Sequence, residues 1–109
     1  MMSEKVLPLP CNGELYASWT EIDYLLKIGE EYGEVCEAAR HLRLCRDTTA
    51  AELYIKLMAE CQDLITSVTS YQEKMQFDEK MRQQMTRCIN HSNKIRNDGK
   101  RIKNNGIGK

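Results

Sequence analysis

The sequence predicts an all-α fold, an antiparallel helical bundle whose core is completed by homo-oligomerisation. Three observations carry this. Both prolines, Pro8 and Pro10, lie near the N-terminus, so no proline interrupts the chain from residue 11 onward. Glu, Lys, Leu, Met, Ala, Gln and Arg are plentiful, the residue types that lose least freedom in a helix. Apolar residues also recur three and four apart over three long stretches. At 109 residues there is room for one small domain with a modest core, which small helical proteins often extend by pairing with copies of themselves.

Residues 1–18 read as an N-terminal arm: two prolines, the Asn12-Gly13 turn signal and weak periodicity. A bundle domain is expected over 19–96. Its first helix starts at Thr20, which can cap with Asp23 three residues on, and runs to about Arg43. On a helical wheel Ile22, Leu25, Gly29, Tyr32, Val35, Cys36 and Ala39 gather on one side, with Asp23, Glu30, Glu31, Glu34 and Glu37 on the other. The polar run 46–49 forms a loop, and Thr48 or Thr49 can cap the next helix.

The second helix, about 50–75, sets Leu53, Tyr54, Leu57, Cys61, Leu64, Ile65, Val68 and Met75 along one stripe, with Glu60 and Asp63 on its flank. A third stretch from about Asp78 carries Met81, Met85, Cys88, Ser92 and Ile95 at bundle spacing. Neither Gly nor Pro near Phe77 marks whether it continues the second helix or bends away. Residues 97–109, with three glycines, three asparagines and four basic residues, are expected to form a basic, mobile tail.

No run approaches the roughly 20 apolar residues of a membrane span, and no leader-length apolar stretch is present. A cytoplasmic protein without membrane contact is the expectation. The five cysteines never form CxxC and suit reduced core thiols. With only His41 and His91 to add, and neither at ligand spacing from a cysteine, the sequence argues against a zinc site. Net charge is zero, yet residues 1–75 hold 7 basic against 13 acidic residues and residues 76–109 hold 9 against 3. An acidic metal site partnered by a basic phosphate-binding segment explains that division better than a nucleic-acid tail does. The neutral total and few aromatics argue against dedicated nucleic-acid binding.

The acids have order. Glu31 and Glu34 are three apart on the first helix, Glu60 and Asp63 three apart on the second. That spacing puts each pair on one helical face, one turn apart. Two antiparallel helices with a short connection can direct all four into one volume. There they would repel one another and lose hydration, and a divalent cation removes that penalty. An all-oxygen donor set suits Mg²⁺, with Mn²⁺ as a substitute. The competing use of these acids is a solvated face with ion pairs to Lys27 or Lys56.

The run Glu30-Glu31-Tyr32-Gly33-Glu34-Val35-Cys36-Glu37-Ala38, followed after 25 intervening residues from Glu34 by Glu60-Cys61-Gln62-Asp63-Leu64, resembles the EExxE…ExxD signature of the MazG-like nucleotide pyrophosphohydrolases. The resemblance covers about residues 20–96 and implies an all-α, Mg²⁺-dependent enzyme. Such an enzyme hydrolyses a nucleoside triphosphate to the monophosphate and pyrophosphate. It implies Glu31, Glu34, Glu60 and Asp63 as metal ligands, and Glu34, or else Glu37, as the base that orients water. The segment Asn90-His91-Ser92-Asn93-Lys94-Ile95-Arg96 looks like the family's downstream element, with Asn93 (Asn90 in reserve) on the ribose and Lys94 and Arg96 on the phosphates. Trp19 is the candidate for stacking on the base; its alternative is a place in the core or an interface. A homodimer or homotetramer is the implied assembly.

Two rivals stand beside this reading. Lys27-Ile28-Gly29-Glu30-Glu31 also resembles the phosphoribosyl-ATP pyrophosphohydrolase branch, although Leu-Ile-Thr-Ser-Val after Asp63 lacks the histidine of that branch. The other rival is a non-catalytic helical interaction module with a basic C-terminal arm.

Overall fold

A computed structural model of the chain describes residues 6–45 and 50–99. All of its regular structure is helical: a 3₁₀ turn at Glu14–Tyr16, then α1 (Glu21–Leu44), α2 (Ala50–Lys74) and α3 (Glu79–Asn97). The chain divides into two compact units, residues 1–76 and 77–109. The first holds the 3₁₀ turn with α1 and α2, and the second holds α3.

Helix α1 begins where its capping residues dictate. Asp23 N–H donates to Thr20 Oγ1 at 3.3 Å, and Thr20 N–H donates to Asp23 Oδ2 at 2.8 Å. The reciprocal pair satisfies backbone donors that the first turn would leave open. The expected 46–49 loop and its Thr48 or Thr49 cap lie outside the described residues, as does most of the expected tail. At the far end of α2 the continuity left open by the sequence is resolved. Gln76 takes a positive φ of 53°, which no helix sustains, so α2 stops. The next helix restarts with the Asp78 carboxylate accepting from Met81 N–H at 3.0 Å.

Helices α1 and α2 pack against each other and run antiparallel. Tyr71 Oη, late in α2, donates to Glu21 Oε1, early in α1, at 2.9 Å. Glu31 faces Glu60 and Asp63 midway. The inner face of α1 is Tyr24, Ile28, Glu31, Val35, Ala38 and Leu42, and that of α2 is Leu53, Leu57, Glu60, Leu64, Ser67 and Tyr71. Both sets repeat with alternating steps of four and three, the seam along which two helices interlock.

This corrects the α1 face drawn from the wheel. Ile22 and Tyr32, expected inside, are 60% and 61% exposed. Glu31, expected on the polar side, is buried. A wheel that sends every acid outward rotates the apolar side away from the true seam when one acid belongs in it. On α2, Leu53, Leu57, Cys61 and Leu64 are half-buried as expected, whereas Tyr54, Ile65, Val68 and Met75 are exposed. The thiols of Cys11, Cys36 and Cys61 are half-buried, while Cys88 on α3 is exposed rather than part of a core.

The arm is not loose from Cys11 onward. Cys11 N–H donates to Ser70 Oγ at 2.7 Å, Ser70 Oγ donates to Thr66 O at 2.7 Å, and Asn12 Nδ2 donates to Glu73 Oε1 at 2.6 Å. Trp19 packs edge-on against Tyr16 and Tyr24, with ring centroids 4.8 and 5.1 Å away. Residues 11–19 thereby close the end of the helical pair with a short aromatic ladder.

Candidate metal centre

Two antiparallel seams carry a glutamate at matching positions, and the pairing of α1 with α2 brings those glutamates together. Oxygens of Glu31, Glu60 and Asp63 lie within 4.8 Å of one another, and so do oxygens of Glu30, Glu31 and Glu34. Glu31 belongs to both triads. All four acids expected in the site are therefore drawn to one stretch of the helical pair, and Glu30 joins them.

Their surroundings differ. The Glu31 side chain is 8% exposed and the Glu60 side chain 14%, while Glu30, Glu34 and Asp63 face solvent. Lys27 Nζ stands 2.9 Å from Glu31 Oε1 and 3.2 Å from Glu30 Oε1. Lys56 Nζ stands 3.4 Å from Glu60 Oε1. The second oxygens, Glu31 Oε2 and Glu60 Oε2, are buried and have no hydrogen-bond partner among the described residues. A buried acceptor left unpaired costs roughly 1–3 kcal/mol, and more when charged. Two such atoms, one on each helix, belong to carboxylates that lie in the same cluster.

The electrostatics agree. Contact with the Glu60 carboxylate, followed by the charge of Glu31, pushes the Glu34 carboxyl above its usual pKa, because ionisation adds a negative charge to an acidic cluster. Lys27 is held well above the ordinary lysine value, chiefly by its hydrogen bond to Glu31. A six-coordinate Mg²⁺ holds oxygens at about 2.1 Å, so its donors stand about 3 to 4 Å apart. The donors here lie within 4.8 Å of one another, on the same scale. The donor set fits a hard divalent cation.

Beside the triads a groove of about 210 Å³ is lined by Glu34, Glu37, Ala38, His41, Lys56 and Glu60. Glu37 is engaged within its own helix, 2.9 Å from Arg40 Nη2 and 3.0 Å from His41 Nε2. Trp19 borders a second, smaller pocket with Cys11, Tyr16, Tyr24, Lys27, Ser67 and Ser70. Lys27 thus touches both the carboxylates and the aromatic end. Asn93, Lys94 and Arg96 sit in the last turns of α3 in the second unit, exposed, with Arg96 Nη1 donating to Asn93 Oδ1 at 2.9 Å.

The chain matches no family model, no curated protein and no solved structure. The residues themselves therefore carry the functional reading. Sequence reasoning named Lys27 and Lys56 as ion-pair partners of these acids, and the pairs are present; it left Glu30 out of the ligand set. The signal for the lysines is their spacing: each helix carries a lysine four residues before its buried glutamate, Lys27 before Glu31 and Lys56 before Glu60, with a further acid three residues after.

Proposed function

We propose that the Glu31–Glu60–Asp63 cluster, with Glu34 beside it, binds Mg²⁺ and that the chain is a MazG-like nucleoside triphosphate pyrophosphohydrolase. The observation that carries the metal reading is the pair of buried, unpartnered oxygens, Glu31 Oε2 and Glu60 Oε2. The substrate rests on the resemblance of the EExxE…ExxD run. When bound, Mg²⁺ neutralises the carboxylates, admits a polyanion and lowers the pKa of water.

The chain's own residues take the remaining tasks. Glu31 and Glu60, fixed by the helical seam and by their lysines, hold the cation. Glu34 is exposed beside the buried pair, where its carboxylate would accept a proton from attacking water. Glu37, occupied by Arg40 and His41, suits that role less. Trp19, which packs with Tyr16 and Tyr24 at the end that Lys27 also reaches, would stack on the base. Lys94 and Arg96 would neutralise the leaving pyrophosphate, and Asn93 would hold the ribose.

Pairing of copies belongs to the same proposal. Among the described residues no side chain is completely buried, and Tyr24 and Ala38 are the buried apolar residues, whereas Ile22, Leu26, Tyr54, Ile55 and Met58 are at least 58% exposed. A homodimer or homotetramer covers such surface. The same exposed apolar residues also favour a second reading, a helical interaction module.

The test is release of pyrophosphate from a panel of nucleoside triphosphates in Mg²⁺. Turnover that falls by orders of magnitude in Glu34→Gln and Asp63→Asn supports the enzyme. Full turnover in both variants removes the site assignment. Metal binding without turnover on any nucleotide favours the interaction module.

A further inference from the structure

The acids of the cluster are not equivalent, and the difference lies in how their two oxygens are used. Glu31 and Glu60 show the same division: Oε1 against a lysine four residues earlier in its own helix, Oε2 buried and unpartnered. The Lys27 contact is the closer, 2.9 Å against 3.4 Å, and it acts on the more buried carboxylate. Glu30 meets Lys27 from a second side at 3.2 Å, so the ammonium stands between two acids. Glu34 and Asp63, by contrast, are exposed and can turn.

The geometry points to Lys27 as a positioning residue that sets cation selectivity: by occupying Glu31 Oε1 it restricts Glu31 to one-oxygen ligation through Oε2. Lys56 does the same for Glu60 more loosely. This rests on the reading of the cluster as a cation site. Ca²⁺ takes six to eight oxygens and commonly draws both oxygens of a carboxylate, whereas Mg²⁺ and Mn²⁺ accept octahedral, one-oxygen ligands. A lysine that keeps one oxygen for itself therefore works against Ca²⁺ more than against the smaller ions. Loss of the ammonium charge alone would strengthen every divalent cation alike and leave the preference unchanged.

Titration of the full chain with Mn²⁺, followed by the signal of free Mn²⁺ in electron paramagnetic resonance, with Mg²⁺ and Ca²⁺ as competitors, reads that preference directly. In Lys27→Met the Mg²⁺-over-Ca²⁺ affinity ratio is expected to fall by roughly tenfold, the scale on which partners of metal ligands act. Lys27→Arg, which restores a donor to Oε1, is expected to bring the ratio back toward wild type. An unchanged ratio in Lys27→Met, whatever happens to the separate affinities, overturns the proposal. Wild-type protein that binds no divalent cation instead removes the cation-site reading beneath it. Should Lys27→Met lose its helical circular dichroism, infrared difference spectra of wild-type protein decide. A Glu31 carboxylate band, identified by its absence in Glu31→Gln, that shows one-oxygen ligation of Mg²⁺ supports the proposal, and two-oxygen ligation refutes it.

Discussion

Lys27 Nζ lies 2.9 Å from one oxygen of the buried Glu31 carboxylate, while the other oxygen, Oε2, has no partner among the described residues. One oxygen is thus paired within the chain and the other is not. A purely structural ion pair in a seam gains from using both oxygens, since each unmet acceptor carries a desolvation cost. Glu60 on the facing helix is used in the same way, which is the arrangement the proposed shared cation requires.

Mg²⁺ is accordingly expected to stabilise the wild-type protein and not Glu31→Gln. Saturation at a hundred times the dissociation constant adds about 2.7 kcal/mol, which for a domain of this size raises Tm by roughly ten degrees or more. Thermal unfolding followed by circular dichroism, in EDTA and in Mg²⁺, measures both proteins. Equal stabilisation of wild type and Glu31→Gln would place the ion elsewhere.

The raised Glu34 carboxyl sets a pH dependence. Its ordinary value is 4.5, and the neighbouring Glu60 and Glu31 lift it in the folded chain. The folded state therefore holds that proton more tightly than the unfolded state does. Its contribution to stability is fully present below the unfolded value and is lost as pH rises through the folded value. In EDTA, Glu34→Gln should match wild type in acid and become the more stable of the two as pH climbs through and above the usual carboxylate range. Bound Mg²⁺ should shrink that difference, since it compensates the repulsion that the substitution removes. Denaturation at a series of pH values, with and without the ion, shows whether the two curves diverge in this direction.

Tyr24 is the large apolar residue of the helical pair that burial protects best, at 4% exposed, and it carries the edge of Trp19. Tyr24→Ala should lower stability by about 3 to 5 kcal/mol, the range for removing a buried aromatic ring. A urea titration that finds less than about 1 kcal/mol would mean that the aromatic ladder does not support the pair.

Exposed apolar residues on α2 give the assembly its own test. Ile55 and Met58 are 62% and 60% exposed, and Ile55→Glu with Met58→Glu places charges on that face. If copies pair through it, light scattering should show the mass falling to that of one chain, while the wild type runs as a dimer or larger. A wild type that is already monomeric at micromolar concentration would leave the apolar face to another partner.

Much of the helical order was legible before any tertiary contact was known. Thr20 and Asp23 mark the start of α1 because a capping box is a local interaction, and α1 and α2 end within a residue or so of their expected limits. The i, i+3 acid pairs on two neighbouring helices likewise announced a convergence that needs only an antiparallel pairing. Other features were not local. Gln76 carries no residue-type signal for a left-handed φ, so the break before α3 depends on the chain around it.

The sequence by itself determined the helices, their first caps and which acids share a face, because all of these follow from spacing along one chain. Only the tertiary structure decided which face of α1 turns inward. Apolar residues surround much of that helix, and the choice between the Ile22–Tyr32 side and the Tyr24–Ala38 side is made by the fit against α2. The chosen seam contains Glu31, a residue that single-helix reasoning sends to solvent. Lys27 offsets its burial on one oxygen, and packing in the seam leaves Oε2 buried without a partner among the described residues, the defining atom of the candidate centre.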